Sequence, residues 1–195
     1  MLPRCTSCGS LERHRALRAF FALIGTERFK NAKAVQFSPD PSAEPQWFKS
    51  FTLASYPQFD LQKLVLEPES FDVAICCHVL EHVRDDLAAL RELRRITSRD
   101  GLVIVMVPDP ARTPHTSEWG YADPKRDSHY RLYGRDFASR ITKTMPEAFL
   151  NVFQMADPVT GTPDVIYAIT RHQEPARLLA HYRTKNRAIN VSRQR

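Results

Sequence analysis

The sequence has little glycine, few cysteines and no apolar stretch long enough for a membrane span. Only six glycines occur in 195 residues, and none lies in the turn after the first predicted strand. The phosphate-binding glycines of nucleotide-dependent dehydrogenases are therefore absent, which argues against that class of enzyme. No run approaches the ~20 apolar residues that cross a bilayer. No apolar stretch precedes Cys5, so we also predict no signal peptide.

The four cysteines do not form the pattern of a disulfide framework. Cys76 and Cys77 are adjacent inside an apolar run, and Cys5 and Cys8 form a single Cys-x-x-Cys pair. This usage predicts a reducing, cytoplasmic location. A structural zinc site normally needs four ligands, and the nearby His14 would still leave the pair one ligand short. We therefore assign no metal site from the sequence.

Composition and charge are those of an ordinary globular domain with a basic end. The chain is 43% hydrophobic and 26% charged, and its formal net charge is +6. A chain of this length fits one domain. The positive excess is concentrated near the C-terminus, at Arg177, Arg183, Lys185, Arg187, Arg193 and Arg195. Such a tail either contacts nucleic acid or another anionic surface, or is a solvated terminal segment.

The central stretch predicts a strand, a helix and a second strand. Residues 73–77 and 102–107 are wholly apolar, as is typical of strands buried on both faces. Between them, a helix is predicted over 85–96, with Asp100 and Gly101 turning the chain back into the sheet. Its apolar positions recur at helical spacing at Leu87, Leu90, Leu93 and Ile96. Such a unit has parallel strands, and ligands bind beyond their carboxyl ends.

These residues resemble a known superfamily. The run FDVAICCHVLEHV at 71–83, followed by a helix and DGLVIVMVPDP at 100–110, is similar to the fourth strand, next helix and fifth strand of class I methyltransferases, which use S-adenosylmethionine. The downstream runs HYRLYGRDF and DPVTGTPDVIYAIT resemble one bacterial branch of it. The resemblance implies an α/β fold: a Rossmann-like, doubly wound, seven-stranded, mostly parallel sheet with an antiparallel last strand.

The resemblance also organises the chain into three segments. Residues 1–32 are expected to form the Cys-x-x-Cys segment and a helix, capped by Ser10 and packed on the domain. Residues 33–172 form the methyltransferase-like domain, closed by an antiparallel pair of strands. Residues 173–195 form a C-terminal helix, predicted over 174–188, and the basic tail.

The turn after the first predicted strand departs from the superfamily. Most class I methyltransferases have a glycine-rich turn here, whereas this sequence has Pro39 and Pro41, which remove amide donors. After the second strand the usual ribose-binding acid is missing, and Asp60 is the nearest carboxylate, expected beside the adenine. The cofactor-binding residues that the resemblance implies are Phe37, Ser38, Asp40, Ser55, Tyr56, Asp60, Leu61, Cys77 and His78.

Candidate catalytic and substrate residues follow the predicted strand ends. His82 is a candidate general base, because its ordinary pKa of about 6.5 suits neutral pH; alternatively, Glu81 and His82 cap or brace the next helix. Residues 109–127 lack periodicity and predict a loop over the substrate pocket. The candidate substrate contacts are His115, Trp119, His129, Arg131 and Tyr133. Arg131 suits an anionic group, although packing roles are the alternative for each.

The sequence therefore predicts methyl transfer from S-adenosylmethionine to an unidentified acceptor. A small molecule or a glycan is the expected acceptor, with nucleic acid as a further partner through the basic tail. The alternative is a methyltransferase-like binding or scaffold module without cofactor. The prolines at 39 and 41 and the missing acid near Ser55 support that alternative.

Overall fold

The computed structural model of the chain describes residues 4–173, 175 and 177–182. Its helices there are α1 (Glu12–Ile24), α2 (Asp86–Ile96) and α3 (Phe137–Thr144), and residues 177–182 are also helical. Its strands there are β1 (Lys33–Gln36), β2 (Ser50–Leu53), β3 (Phe71–Cys77), β4 (Thr97–Met106), β5 (Ser117–Asp123), β6 (His129–Leu132), β7 (Phe149–Ala156) and β8 (Pro163–Thr170). Short 3₁₀ turns lie at Thr26–Phe29, Pro45–Trp47, Leu80–His82 and Pro124–Arg126. Every helix in these ranges is too short or too polar to span a bilayer.

One mixed sheet organises the described residues. Its strand order is β2-β1-β3-β4-β8-β7, and β5 and β6 form a separate two-stranded ribbon. The pairs from β2 to β4 are parallel, whereas β8 is antiparallel to both neighbours. The predicted α/β class and the antiparallel last strand are confirmed. The described sheet has six strands where seven were predicted, because 54–70, which contains Pro57 and Pro68, forms turns and no strand.

Alternation along β3 divides the core between the two faces of the sheet. Val73, Ile75 and Cys77 belong to the cluster under α1, and Ala74 and Cys76 belong to the cluster under α2 and α3. From α1 come Leu17, Phe20, Phe21 and Ile24. Each such side chain contributes ~1.5–3 kcal/mol on full burial. The apolar central strands therefore hold the sheet between two helical layers, and its carboxyl edge is left for ligands.

The helix α2 ends at Ile96, as the sequence predicts, but it begins at Asp86, one residue later than predicted, and the strand after it begins earlier than predicted. Asp85 caps its first turn by accepting a hydrogen bond from the Ala88 amide at 2.9 Å. The helix ends at Ile96, and β4 already includes Gly101. A Cβ at Gly101 would lie 2.6 Å from the Thr97 side chain. Gly101 is therefore required by the close approach of the chain and does not end the helix.

Part of the predicted loop over 109–127 forms a strand, β5 (Ser117–Asp123), which pairs with β6 in a β-ribbon and corrects the sequence interpretation. β5 and β6 pair antiparallel, with Glu118 opposite Arg131. The residues of β5 are mostly exposed, so no apolar alternation marks that strand in the sequence. The ribbon lies against the 3₁₀ turn Leu80–His82, which places it beside the carboxyl ends of the parallel strands.

The helix α1 brings its N-terminal turn to the same edge. Arg15 forms two 2.8 Å hydrogen bonds to the buried Asp157 carboxylate at the end of β7. The N-cap is Leu11 and not the predicted Ser10, and the Leu11 amide donates to His14 Nδ1 at 3.1 Å. The remainder of the predicted C-terminal helix and tail, from residue 183 onward, lies outside the described residues.

Candidate active site

A cleft opens where β1, β2 and β3 end. Its cavity has a volume of about 400 Å³, within the range of small-molecule sites. Six of the nine predicted cofactor-binding residues line it: Phe37, Ser38, Ser55, Tyr56, Asp60 and Leu61. His82 lines it too, together with Val79 and Val83. The sheet thus brings together residues that are far apart in the sequence.

The proline-containing turn after β1 is braced by a residue that the sequence analysis missed. The Gln36 side-chain amide donates to the backbone carbonyls of Ser38 and Asp40, at 2.5 and 2.8 Å. The Asp40 carboxylate accepts the Ser42 amide at 2.9 Å. These bonds stabilise a tight turn without glycine. They also direct Asp40 into the turn, and it does not line the cleft.

Asp60 lies on the cleft wall at a hydrogen-bonded turn. One of its carboxylate oxygens accepts from the Gln62 amide at 2.9 Å and from the Gln62 side chain at 3.0 Å. Gln62 in turn accepts the Asp85 amide at 2.9 Å. The turn is therefore tied to the start of α2, which fixes the carboxylate beside the cavity. Tyr56, which also lines the cleft, is 80% exposed.

Glu81 is buried and His78 is half-buried beside the cleft, after the end of β3. His78 has a positive φ of 53°, and its Nδ1 lies 3.6 Å from Glu81 Oε1, too far for a hydrogen bond. Burial, followed by the charges of Arg13 and His14, lowers the pKa of His78 to about 3. Burial raises the pKa of Glu81 to about 8. Near neutral pH the pair is therefore an uncharged imidazole next to a protonated carboxyl group.

His82 packs edge to face against His129 from the ribbon. Their ring centroids are 4.6 Å apart and their planes are inclined by 83°. His82 is exposed on one side, but partial desolvation where its ring packs, followed by the neighbouring His129, lowers the pKa of His82. The cap of α2 is Asp85, so the alternative in which Glu81 or His82 caps that helix is wrong.

Arg131 has a structural role that differs from the predicted contact with an anionic substrate. It is 3% exposed, and its guanidinium donates to the backbone carbonyls of Leu80, Val83 and Arg84 at 2.9, 2.5 and 2.6 Å. Its charge is further compensated by Asp86, 3.8 Å away. Arg131 therefore fastens the ribbon to the turn that carries Glu81 and His82.

Other predicted site residues also pack away from the cleft. Tyr133 is 1% exposed, and its hydroxyl donates to Asp86 at 2.9 Å. Cys77 is buried against Met106, and burial raises its pKa. Trp119 donates to the His129 carbonyl at 2.8 Å. These side chains, like the exposed His115, do not line the cavity described above.

The N-terminal turn of α1 adds charged residues that the sequence analysis did not select. The charge of Arg13 acts on His78, Glu81 and Asp164 alike, so it lies close to the strand ends. His14 Nε2 is 4.0 Å from Asp40 Oδ1, and burial lowers the pKa of His14 to about 4. Only the folded chain places α1 here, so no local sequence signal identifies these residues.

A second cavity lies at the opposite edge of the sheet. Its volume is about 1120 Å³, and its walls include Ile24, Leu102 and Tyr182. It adjoins the amino ends of the parallel strands, whereas ligands of such sheets bind at the carboxyl ends. We therefore place the candidate active site in the smaller cleft.

Comparison with known proteins gives one family. A family model described as a methyltransferase domain matches residues 7–105, which is half of the chain. A comparison with curated proteins finds no match.

Solved structures share the fold at low identity. One matching chain comes from a complex of the Haloferax volcanii Trm112 methyltransferase activator with a protein described as a methyltransferase. It is 11% identical to this chain, and the match covers 83% of this chain and 91% of that chain with a TM-score of 0.57. The Burkholderia thailandensis 1,6-didemethyltoxoflavin-N1-methyltransferase, with bound 1,6-didemethyltoxoflavin and S-adenosylhomocysteine, is 13% identical, with 79% and 77% covered and a TM-score of 0.50. An S-adenosylmethionine-dependent methyltransferase from Mesorhizobium loti is 14% identical, with 79% and 94% covered and a TM-score of 0.50. At these identities the likeness concerns the fold.

Proposed function

The chain belongs to the methyltransferase domain family whose model matches residues 7–105, and from this membership we propose that it binds S-adenosylmethionine in the cleft at the ends of β1–β3. The proposal rests on one observation above all. Six residues implied by the resemblance line a single cavity of about 400 Å³. They come from three separate segments of the chain, which the fold brings together at the carboxyl edge of the sheet.

The lining residues fit an adenosyl group chemically. Phe37, Leu61 and Val79 offer apolar walls for a purine ring, and Asp60 offers a carboxylate acceptor for an exocyclic amine. The hydroxyl groups of Ser38 and Ser55 can bond the ribose. The cofactor, when bound, supplies an electrophilic methyl group.

The protein residues contribute mainly by positioning. Direct displacement needs the nucleophile, the methyl carbon and the sulfur to be aligned in a site from which water is excluded. Hydrogen bonds stabilise both the turn after β1, through Gln36, and the Asp60 turn, and residues of both turns line the cleft. His82 lines the same cleft, and its lowered pKa keeps a ring nitrogen free to accept a proton from the acceptor.

The acceptor is proposed to be a small molecule or a glycan. A relative of the same fold is named for methyl transfer to 1,6-didemethyltoxoflavin, which supports a small acceptor in this fold without identifying it. Nucleic-acid binding through the basic tail stays a prediction, since the tail from residue 183 onward lies outside the described residues. The cytoplasmic location also stays a prediction.

A binding module without cofactor is the second candidate function. The departures of the cofactor region favour it: two prolines stand in the turn after β1, and β2 is followed by Ser55 and Tyr56 where the superfamily has an acid. Cys77 is also buried away from the cleft. These features reduce the number of polar groups that can bind the cofactor.

Calorimetric titration with S-adenosylmethionine and S-adenosylhomocysteine separates the two functions. We expect binding of both, and Asp60→Ala should weaken it about tenfold or more, because a hydrogen bond to a charged group contributes ~1.5–3 kcal/mol. Asp100→Ala is the matched control, since Asp100 lies at the start of β4, away from the cleft, with a 78% exposed side chain. Absence of binding heat at millimolar ligand would leave the binding module as the function.

A further inference from the structure

Two histidines and a glutamate converge beside the cleft, and one of them, His82, lines it. Glu81, His82 and His129 each offer one ligand atom, and these atoms lie within 4.8 Å of one another. Among the described residues, this is the one group of three or more His, Cys, Asp or Glu side chains whose ligand atoms lie this close together. Two of them belong to the turn after β3, and His129 begins β6 on the ribbon.

This combination is a known donor set for a catalytic divalent metal. Zinc in hydrolytic sites is held by three protein ligands, in several cases two imidazoles and one carboxylate, and a fourth position stays open. We propose that Glu81, His82 and His129 bind a divalent transition-metal ion of the zinc type, with its open position facing the cleft. His82 lines that cleft, so a ligand there can reach the ion.

The environment of Glu81 supports the proposal independently. Glu81 is 1% exposed, and its Oε2 has no hydrogen-bonding partner among the described residues. A buried polar atom without a partner costs about 1–3 kcal/mol. A bound cation would supply the missing partner and favour the ionised carboxylate.

The protein also holds the two ligand-bearing elements together. The Arg131 guanidinium of β6 binds the carbonyls of Leu80 and Val83, on either side of Glu81 and His82. On the ribbon, Trp119 binds the His129 carbonyl at 2.8 Å. These bonds hold the backbone segments that carry the three candidate ligands in place before an ion arrives.

Only a small contraction is needed for coordination. Zinc–nitrogen bonds of about 2.0–2.1 Å place tetrahedral ligand atoms about 3.4 Å apart, against the 4.8 Å limit of the present cluster. His82 is exposed, so rotation of its side chain can close this gap. In the metal-bound state His82 would be a ligand, and a coordinated acceptor hydroxyl would release its proton to solvent water more readily, without a protein base. That use of the ion rests on the proposed methyl transfer, whereas metal binding does not.

Titration of chelator-treated protein with Zn²⁺, without cofactor, tests the site. We expect one ion per chain, bound with micromolar or tighter affinity in calorimetry, and a visible absorption spectrum of low coordination number with Co²⁺. His82→Ala and His129→Ala should each weaken binding by at least about tenfold, since even changes to groups that only support a ligand weaken binding by 10–100-fold. His172→Ala is the matched control, because His172 is remote and pairs with Asp100.

The Cys-x-x-Cys pair must be separated from this site in the same experiment. In the double variant Cys5→Ser, Cys8→Ser the ion should still bind, with an unchanged Co²⁺ spectrum. Zinc binding that is lost in the cysteine variant but kept in His82→Ala and His129→Ala would overturn the proposal, as would no binding to the wild type. Binding of S-adenosylhomocysteine, measured in parallel, shows separately whether the proposed function holds.

Discussion

Replacement of Arg131 by methionine tests how the candidate site is held together. Methionine keeps most of the length and apolar volume of the side chain but removes the guanidinium. Three backbone carbonyls, of Leu80, Val83 and Arg84, would lose a charged donor. The turn that carries Glu81 and His82 would then lose the hydrogen bonds that this guanidinium makes from the ribbon.

The magnitude follows from burial and from the remaining partners. Arg131 is 3% exposed, so water cannot readily replace its hydrogen bonds. Removing one partner of a buried charged network costs about 3–5 kcal/mol. Asp86 still keeps two bonds from Arg140, at 2.8 and 2.9 Å, so the loss should not exceed this range. For a domain of this size the midpoint of thermal unfolding should fall by about 6–20 °C.

Chemical denaturation of the wild type and two variants measures the effect. Arg126→Met is the matched control on the same ribbon, since the Arg126 side chain is 59% exposed and stacks over Trp119 at 4.8 Å. An exposed pair of this kind contributes less than about 1 kcal/mol. Equal destabilisation in the two variants would refute the conclusion that Arg131 is a buried residue that holds the turn and the ribbon together. The same conclusion would fail if Arg131→Met were as stable as the wild type.

Three further changes probe other parts of the fold. Hydrogen bonds from Arg15 of α1 lower the pKa of Asp157 below its ordinary value of 3.8. The ionised Asp157 therefore stabilises the folded state above that pH, and this contribution is lost as the pH falls. The difference in the free energy of unfolding between wild type and Asp157→Asn should shrink below about pH 4, as measured by denaturation at a series of acidic pH values. In Gly134→Ala the new Cβ would lie 2.4 Å from the His115 backbone, so we expect a lower thermal midpoint, and an unchanged midpoint would contradict this close contact. Leu93→Ala removes a fully buried side chain of α2 and should cost about 2–5 kcal/mol in urea unfolding; a cost below that of an exposed Leu53→Ala would contradict the core assignment.

The central unit could be predicted because its signals are local. The apolar run of β3 is buried on both faces, and the spacing of Leu90, Leu93 and Ile96 matches the buried face of α2. Such patterns depend only on neighbouring residues and on the periods of strands and helices. The start of β4 was misplaced because Gly101 looked like a turn residue, whereas it lies within the strand where distant segments of the chain pack closely.

The ribbon could not be predicted in the same way. β5 is mostly exposed and so carries no apolar alternation. The role of Arg131 depends on carbonyl groups in another segment, and no sequence pattern distinguishes an arginine that binds protein carbonyls from one that binds a substrate. The same limit applies to Gln36, whose bracing of the turn depends on the path of the backbone.

The sequence by itself determined the α/β class, the parallel central strands and the edge of the sheet where ligands bind, because these follow from local periodicity and from the rules of strand connection. Only the tertiary structure decided which polar residues meet at that edge. Asp60 reached the cleft, Arg131 turned to the protein interior, and His129 came to lie beside His82. These outcomes depend on contacts between segments distant in the chain, and burial and hydrogen bonding assign each side chain its role only when the chain has folded.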